Sequence, residues 1–412
     1  MSNVIAKTPA NILSILIGLL PVAILVGSAV INIVLVFCGL VYIYIAFNER
    51  KKFKKSFSFY ILILFFFSLI INLIFSSNIE NSLSRVFGIL RFLLLAFAIQ
   101  LILENFSQNL KKKIFFFWFI VFVTISLDLL FEFIFGFNLL GNRSYMPGRL
   151  SGVLGNELKI GNYYFGFGLL ATAFLYYNFK KHFIVYLALA LTLFISFIIG
   201  ERSNFIKYTF MIICFLFLFD KKKIFLKTAA VFLITISFSI FILSSNNYKE
   251  RFWDMFLGEF ANNSSILAII NKSPYGGHWN AAYEIFKDNK IFGVGIKNYR
   301  IASGDKKYFN KDVAFSAHRQ NIHPHQLHLE FLSETGLFGF ICFLLFVISS
   351  AFVGYKNYIY NNNLYALSAL LFFLSSTILP LPAGSFFTTY GASIFWINYG
   401  IMISRKKFMV NQ

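Results

Sequence analysis

Residues that form cross-links or carry negative charge are scarce in this sequence. It has three cysteines, Cys38, Cys214 and Cys342, and each lies inside a long apolar run. We therefore expect neither a disulfide framework nor a thiolate metal site. Charged residues make up only 13% of the 412 positions, and the 17 Asp and Glu are outnumbered by 37 Lys and Arg.

Apolar residues are abundant instead. They make up 58% of the chain, against about 45–50% in soluble domains, which excludes an ordinary soluble protein. Runs of about 20 residues, the length needed to cross a bilayer, recur along almost the whole sequence. The sequence therefore predicts an all-α polytopic membrane protein with about twelve transmembrane helices, although ten or eleven would also fit. The predicted spans are 10–27, 28–47, 57–75, 86–103, 114–137, 161–177, 183–199, 204–219, 224–243, 331–354, 363–381 and 385–403.

The net charge of +20 does not indicate a nucleic-acid partner, because the basic residues form short clusters between the apolar runs. These clusters fall on every second loop and, together with Lys7, Lys227 and Lys356, account for 19 of the 37 Lys and Arg, whereas the intervening short loops hold five. Positive residues mark the cytoplasmic loops of membrane proteins. Both termini are therefore predicted to be cytoplasmic. The first apolar run has no cleavage site behind it and is predicted to be an uncleaved signal anchor.

One long polar segment, 244–330, interrupts the apolar pattern and is predicted to form a large loop on the non-cytoplasmic side. It separates a first part with nine membrane helices, 1–243, from a last part with three helices and a cytoplasmic tail, 331–412. We expect two or three short helices in the loop and no independent core.

Two stretches of the external segments carry local signals. In the large loop, four apolar residues at helical spacing predict one buried stripe: Trp279, Ala282, Tyr283 and Phe286. The second external loop, 138–160, is rich in glycine and carries Arg149 and Glu157. Such a loop brings backbone amides close to an anion.

Arginine is distributed unevenly. Seven of the ten arginines lie on the predicted external side, whereas the cytoplasmic loops use lysine almost exclusively. A guanidinium binds phosphate or carboxylate through a planar fork and stays charged when partly buried. The pattern indicates either an external phosphate ligand or structural ion pairs with external acids. The seven are Arg85, Arg143, Arg149, Arg202, Arg251, Arg300 and Arg319.

Two arginines lie at or within the membrane boundary. Arg202, in GERSNF, separates two apolar runs, and an ionisable residue at that depth is usually functional. Arg91 lies inside the fourth predicted span, at the depth of Asp128 and Glu132 on the fifth. Because these two acids are four residues apart and share a helix face, we predict a buried ion pair with Arg91.

Four of the six histidines lie between His318 and His328. Three interpretations are open: a metal site in which His325 and His328 share a helix face with a nearby glutamate, a solvated loop, and a general base. Pro324 suits the first turn of a helix, so the next helix is predicted to begin here, with His325 at its exposed external end. This position favours His325 as a base.

The stretch HPHQLHLEFLSETGLFGF resembles the signature of the O-antigen ligase and polymerase superfamily. That signature is a histidine followed by Asn, Ser or Gln, nine residues and Gly-x-x-Gly, which His325, Gln326, Gly336 and Gly339 match. HWNAAYEIFKDNKIFGVGIKNYR, GRLSGVLGNELKIGNYY and GERSNF resemble further stretches of the family. The resemblance thus covers residues 148–340.

The resemblance implies about twelve helices with one large periplasmic loop, in the inner membrane of a bacterium. It implies an inverting, metal-independent glycosyltransferase without a cofactor, which moves a glycan from an undecaprenyl-diphosphate carrier to lipid A-core or another glycan acceptor. By position, His325 corresponds to the base on the acceptor hydroxyl and Arg202 to a contact with the diphosphate. Family members often have an arginine shortly before the tryptophan of the loop helix, and this chain has SPYGGHW instead. The remaining candidates for substrate binding are Arg149, Glu157, Arg251, His278 and Arg300.

Three functions stay open. The form HPHQ…ETG, with its companion GVG…YR, favours a ligase over a polymerase of the same superfamily. A twelve-helix transporter or flippase would need intramembrane charges along a central path. Only Arg91, Asp128 and Glu132 offer such charges, and all three lie near one end of the predicted spans.

Overall fold

The computed structural model describes residues 7–49, 56–220, 244–254 and 266–405, with isolated positions between 227 and 242. These residues form helices and loops without a β-strand, which confirms an all-α membrane protein. Seven helical stretches among them are long and apolar enough to cross a membrane: Thr8–Val26, Ser28–Asn48, Phe57–Ile74, Ile79–Asn105, Gln108–Phe135, Arg202–Phe219 and Leu327–Asn361.

The helices follow the predicted apolar runs closely. Eleven of the twelve predicted spans coincide with described helices, and the ninth, 224–243, lies largely outside the described residues. The helices before it are α1 (Lys7–Val26), α2 (Ser28–Asn48), α3 (Phe57–Ile74), α4 (Ile79–Gly88), α5 (Leu90–Asn105), α6 (Gln108–Phe135), α7 (Ile160–Phe179), α8 (His182–Ile198) and α9 (Arg202–Phe219). Those after it are α10 (Asn246–Lys249), α11 (Ile266–Lys272), α12 (Gly276–Asp288), α13 (Tyr299–Ala302), α14 (Leu327–Asn361), α15 (Leu364–Thr377) and α16 (Thr389–Met402).

Helix α15 brings two distant parts of the sequence together. It packs between α9 and α14 and also contacts α7 and α16, and most of its side chains are buried. On the outer faces large apolar side chains are exposed, with Leu64 at 70% and Ile348 at 65%, as expected where lipid replaces water. Since α9 and α14 both begin at the end of α15 that leads into residues 378–388, the residues around Arg202 and His325 lie at one end of the bundle.

The segment 244–330 has a small core of its own, so the expectation of no core is wrong. Six buried residues form it, and Leu329 of α14 packs against it. Helix α12 provides half of this core and lies against α14. The six residues are Ala281, Ala282, Ile285, Val294, Tyr299 and Tyr308.

The predicted apolar stripe of α12 is displaced by one residue. The buried face contains His278, Ala281, Ala282 and Ile285, whereas Tyr283 is 50% exposed. Both faces of α12 carry apolar residues, so the closeness of packing against its neighbours decides which face is buried. A Cβ added at Gly277 would lie 2.9 Å from a backbone nitrogen of the neighbouring loop, so only the face with small residues approaches it.

Helix α14 is interrupted at Gly336, which has φ +62 and ψ −165. On one side of the break, Val294 N and Gly295 N donate to carbonyls of α14 at 3.0 and 2.8 Å. On the other side, Leu337 N and Phe338 N donate to carbonyls of the segment 244–330 at 2.8 and 3.0 Å. The first glycine of the Gly-x-x-Gly motif therefore exposes backbone groups of the helix to this segment, and its left-handed conformation favours glycine.

The predicted ion pair of Arg91 with the acids of α6 is wrong. Arg91 donates to the last carbonyl of α4 at 2.7 Å and lies over a neighbouring phenylalanine ring. Glu132 accepts from Ser151 N and from the Ser151 hydroxyl at 2.7 and 2.6 Å, and Asp128 accepts from Leu139 N at 2.8 Å. Both acids thus hold the loop after α6, because its backbone N–H groups need acceptors when buried.

Candidate active site

Three histidines form what we call the imidazole cluster: His278, His323 and His325. The ring of His325 lies 4.3 Å from that of His323 and 5.2 Å from that of His278, measured between centroids. His278 comes from the first turns of α12, and the other two come from the loop before α14. The cluster therefore exists only because α12 packs against α14.

His325 lies outside α14, contrary to the sequence-based expectation. The helix begins at Leu327, and the side chain of Gln326 caps it by accepting from Leu329 N at 2.6 Å. His325 itself has φ +57, a left-handed conformation that turns the chain sharply before the helix. It is partly buried among the other imidazoles instead of lying exposed on the first helical turn.

The hydrogen bonds around His325 define its basic nitrogen. Asn321 Oδ1 accepts from Ile322 N at 2.6 Å, so its amide nitrogen faces His325 Nε2 at 3.1 Å. An amide nitrogen only donates, and Nε2 must therefore be the unprotonated nitrogen of this tautomer. The lone pair that would take a proton is directed out of the ring at Nε2.

The imidazole cluster favours neutral rings. Burial, together with the neighbouring His323 and His278, lowers the pKa of His325 to about 3. Burial also lowers the pKa of His323 to about 4, although the carbonyl of Ala383 opposes the shift. Both rings are therefore neutral at neutral pH, the form that a general base requires.

Three guanidinium groups form the arginine cluster: Arg149, Arg202 and Arg251. Arg202 begins α9 and donates to the Arg251 carbonyl at 3.3 Å, while Arg251 Nε donates to the Gly200 carbonyl at 2.6 Å. Burial, together with the charges of Arg149 and Arg202, lowers the pKa of Arg251 to about 10. The three guanidinium groups thus lie within electrostatic reach of one another, and Arg251 stays ionised at neutral pH.

Glu201 supplies negative charge inside the arginine cluster. It lies 3.5 Å from Arg149 and accepts hydrogen bonds from Gly161 N at 2.8 Å and from Asn204 at 2.6 Å. Burial raises its pKa, and Arg149 and the two donors oppose that shift. With three guanidinium groups and one carboxylate, the cluster keeps an excess of positive charge suited to an anionic ligand.

A close backbone approach brings Arg149 to the other two arginines. Gly200 has φ +76, and a Cβ there would collide with the carbonyl of Gly148. Next to this contact, Leu150 N donates to the Ile199 carbonyl at 3.1 Å. The turn between α8 and α9 must therefore carry a glycine for the loop after α6 to lie against it.

Tyr275 lies between the two clusters. Its ring is 5.6 Å from that of His325 and 5.8 Å from that of Trp279, with which it stacks. It also raises the pKa of Arg251, so it lies near that guanidinium. The arginine and imidazole clusters therefore border one common site.

The connection between α15 and α16 joins the same two clusters. Pro382 O accepts from the Ser203 hydroxyl and from Lys207 Nζ on α9, the latter at 3.1 Å. The next residue, Ala383, donates to the His325 carbonyl at 2.9 Å and accepts from His323 Nε2 at 3.3 Å. We call residues 382–387 the strap.

Two predicted substrate-binding residues lie apart from both clusters. Arg300 is exposed on α13, and its electrostatic neighbour is Lys297. Glu157 forms an ion pair with Lys159. Glu157 and Lys159 line a cavity of about 180 Å³ together with the α1–α2 turn and Tyr390.

The four clustered histidines of the sequence separate in space. His318 is exposed, and His328 Nδ1 accepts a hydrogen bond from Gln326 Nε2 at 2.8 Å. The helix face that would join His325 and His328 at a metal does not form, because His325 precedes the helix. Among the described residues, no group of three or more His, Cys, Asp or Glu is arranged to hold a metal.

Sequence reasoning missed four contributors to the site: Tyr275, Asn321, Glu201 and the strap. Tyr275 and Glu201 lie within the motifs SPYGGHW and GERSNF, so their positions close to His278 and Arg202 in the sequence were the available signal. Asn321 lies four residues before His325 without any periodic pattern. The strap is recognisable only once the fold brings it to His325.

A comparison with known families supports the resemblance noted in the sequence. Residues 187–344 match the family model described as O-Antigen ligase. The matched segment contains Arg202, Arg251, His278 and His325, and Arg149 lies before it. No curated protein matches the sequence. The chain is a multi-pass membrane protein, and its residues 187–344 are similar to the O-antigen ligase family.

Proposed function

We propose that this protein transfers a glycan from an undecaprenyl-diphosphate carrier to an acceptor hydroxyl, with lipid A-core as the acceptor. The observation that carries the proposal is the meeting of the arginine and imidazole clusters around Tyr275. One cluster is cationic and the other contains neutral imidazoles. Diphosphate displacement by a hydroxyl needs both kinds of group in one place.

The arginine cluster is the proposed site of the diphosphate. When the bond between the anomeric carbon and the diphosphate oxygen breaks, the electron pair stays on the leaving diphosphate. Guanidinium groups fixed beforehand by hydrogen bonds to carbonyls stabilise that charge without rearranging. Arg202 and Arg251 are fixed in this way, and Arg149 donates to the carbonyl of Leu158.

His325 is the proposed base. The acceptor hydroxyl takes the place of the Asn321 amide at Nε2 and gives its proton to that nitrogen as its oxygen bonds to the anomeric carbon. Because the hydroxyl enters opposite the leaving diphosphate, the anomeric configuration inverts. No metal takes part in this scheme, since the arginines stabilise the leaving group and the histidine accepts the proton.

The proposed topology has twelve spans, cytoplasmic termini and the site on the periplasmic side of the inner membrane. It rests on the alternation of lysine clusters along the sequence. A reporter enzyme inserted in the segment 244–330 should be active only outside the cytoplasm. Cytoplasmic activity of that fusion would contradict the proposal, because the acceptor and carrier glycan would then lie on the other side.

The direct test is transfer by the purified protein. The protein in detergent, with a chelator present, should move glycan from the diphosphate carrier to lipid A-core. Failure to transfer under conditions in which the carrier glycan merely crosses vesicle membranes would indicate a transporter or flippase and reject the proposal.

A deletion strain separates ligase from polymerase. Loss of a ligase leaves long carrier-linked chains and bare core, whereas loss of a polymerase leaves core that carries a single repeat. We expect the first pattern. The second would keep the same site chemistry and change the acceptor to the glycan of another carrier.

A further inference from the structure

Among the described residues, the strap is the only connection between helices that forms hydrogen bonds both with α9 and with the loop that contains His323 and His325. At Pro382 it accepts from Ser203 and Lys207 of α9, and at Ala383 it pairs with the backbone of His325 and the ring of His323. Ser203 directly follows Arg202 in the sequence. Any displacement of the strap therefore moves the proposed base relative to the arginine end of α9.

A buried carboxylate anchors the strap. Glu330 lies in the first turn of α14 and is 2% exposed. One of its oxygens accepts from the Ser385 hydroxyl, and the other accepts from Phe386 N at 2.9 Å. Phe387 N in turn donates to the Ser385 hydroxyl oxygen at 3.1 Å. Both partners donate, so Glu330 holds the strap by accepting two hydrogen bonds.

The anchor and the base belong to one short piece of chain. Glu330 N donates to the Gln326 carbonyl at 2.9 Å, and Gln326 follows His325. The strap is thus tied twice to the start of α14, once at His325 through Ala383 and once at Glu330. Two attachment points fix both the position and the direction of a short segment, whereas one point would leave its direction free.

We propose that Glu330 is a positioning residue for the transfer reaction: by anchoring the strap, it sets the position of His325 relative to Arg202 and keeps water from the imidazole cluster. The inference rests on the proposed function. Glu330 itself does not touch the reacting atoms. Its carboxylate is occupied by Ser385 and Phe386.

The primary test compares Glu330→Leu, Glu330→Gln and Ser385→Ala in the purified full-length protein. Leucine removes both acceptors, and misplacing a catalytic group by about 1 Å costs about 10²-fold in kcat. Ser385→Ala removes one hydrogen bond and should lower kcat by about two- to tenfold. Glu330→Gln keeps the shape and one acceptor, so its kcat should lie between wild type and Glu330→Leu. KM for the carrier should change little in all three.

Glu104→Gln is the matched control. Glu104 also accepts from a side-chain amide and a backbone N–H, those of Gln100 and Arg405, both at 2.9 Å. It lies at the end of α5, away from the strap. Its replacement should leave kcat and KM unchanged.

Two further readouts separate positioning from a merely structural role. His323, His278 and Tyr275 surround His325, and loosening the strap admits water to this group. The acid limb of the pH profile of kcat should then move upward, toward about pH 6.5, the value for a solvated histidine. Modification of His325 by diethyl pyrocarbonate, followed by mass spectrometry, should also become faster, and this measurement needs no glycan.

The outcomes are distinct. A folded Glu330→Leu protein with unchanged kcat, unchanged acid limb and unchanged His325 modification overturns the inference, as does the same loss of activity in Glu104→Gln. If wild type transfers no glycan although His325 becomes more reactive in Glu330→Leu, the proposed function fails while the anchoring of His325 by Glu330 stands. Should Glu330→Leu not fold, Ser385→Ala decides by the same three readouts.

Discussion

The arginine and imidazole clusters are neighbours with opposite properties. In the arginine cluster, Arg251 keeps its charge even though burial lowers its pKa to about 10. In the imidazole cluster, burial lowers the pKa of His325 to about 3 and keeps the ring neutral. The same physical cause, removal from water, thus leaves a cation on one side and a neutral base on the other. The comparison teaches that residue type and burial together divide the site into a part that holds charge and a part that accepts a proton.

The strongest way to break this comparison is to remove the base. His325→Ala should lower kcat about 10²- to 10⁴-fold, the usual contribution of a general base, and leave binding of the carrier intact. Steady-state transfer assays with a separate carrier-binding assay measure both effects. His318→Ala is the control, because His318 is exposed and belongs to neither cluster. Retention of more than a tenth of the wild-type kcat would exclude His325 as the base.

Removing charge from the other side should act differently. Arg202→Gln should lower kcat/KM for the carrier by about 10- to 100-fold, since hydrogen bonds to charged groups contribute about 1.5–3 kcal/mol. Arg202→Lys should restore little, because lysine lacks the planar fork. Arg300→Gln, at an exposed position on α13, serves as control and should behave like wild type. Equal losses of kcat/KM in Arg202→Gln and Arg300→Gln would mean that the total positive charge, and not the position of Arg202, determines the effect.

The pH profile sharpens the comparison without a mutation. A base acts in its neutral form, and the pKa of His325 is about 3, so activity should stay constant from about pH 8 to about pH 5 and fall only below. An unperturbed histidine would already lose half its activity at about pH 6.5. Rates of transfer measured across this range decide the point. A midpoint near pH 6.5 would show that the imidazole is solvated during turnover.

The same shifts make folding depend on pH. The unfolded protein binds protons at His323 and His325 below about pH 6.5, whereas the folded protein binds them only near pH 4 and 3. Stability should therefore decline as pH falls from about 6.5 toward 3, because the unfolded state then holds more protons. Thermal unfolding in detergent should show this decline, and a weaker one in His323→Gln.

The smallest expected effect concerns the orientation of the base. Asn321→Ala removes the donor that keeps His325 Nε2 unprotonated before the acceptor binds. Part of the protein should then hold the other tautomer, and kcat should fall by about two- to tenfold, the range for one hydrogen bond. Asn321→Asp reverses the role of the group, since a carboxylate accepts and favours a proton on Nε2. That variant should lose more activity than alanine. The same steady-state assay compares the two, and the opposite order would contradict the assigned tautomer.

The sequence predicted most of the membrane helices and the identity of two central residues. Long apolar runs suffice for the helices, because each must cross about 30 Å of hydrocarbon. His325 and Arg202 were identified by motif and by depth, and their functional roles stay predictions. The arginine distribution also pointed to Arg149 and Arg251, which do lie beside Arg202.

The other features of the fold and the site depend on tertiary packing, which cannot be read from a single sequence. The left-handed turn at His325 follows from the cap at Gln326, and Pro324 gave the opposite indication. The buried face of α12 depends on how closely a neighbouring loop approaches Gly277. The predicted ion pair of Arg91 with Asp128 and Glu132 was wrong, because the depth of a residue in the membrane does not determine which helix its side chain contacts.

If the proposed function holds, the break of α14 at Gly336 also affects how the carrier lipid leaves after transfer. Backbone hydrogen bonds on both sides of the break join residues 290–295 to α14, so these two parts should move as one rigid unit. The proposed release of the carrier lipid would then require motion on the opposite side of the site, around the α8–α9 turn. Slow amide hydrogen exchange at Val294 and Gly295, together with faster exchange at Gly200, would show that only the side with the α8–α9 turn moves.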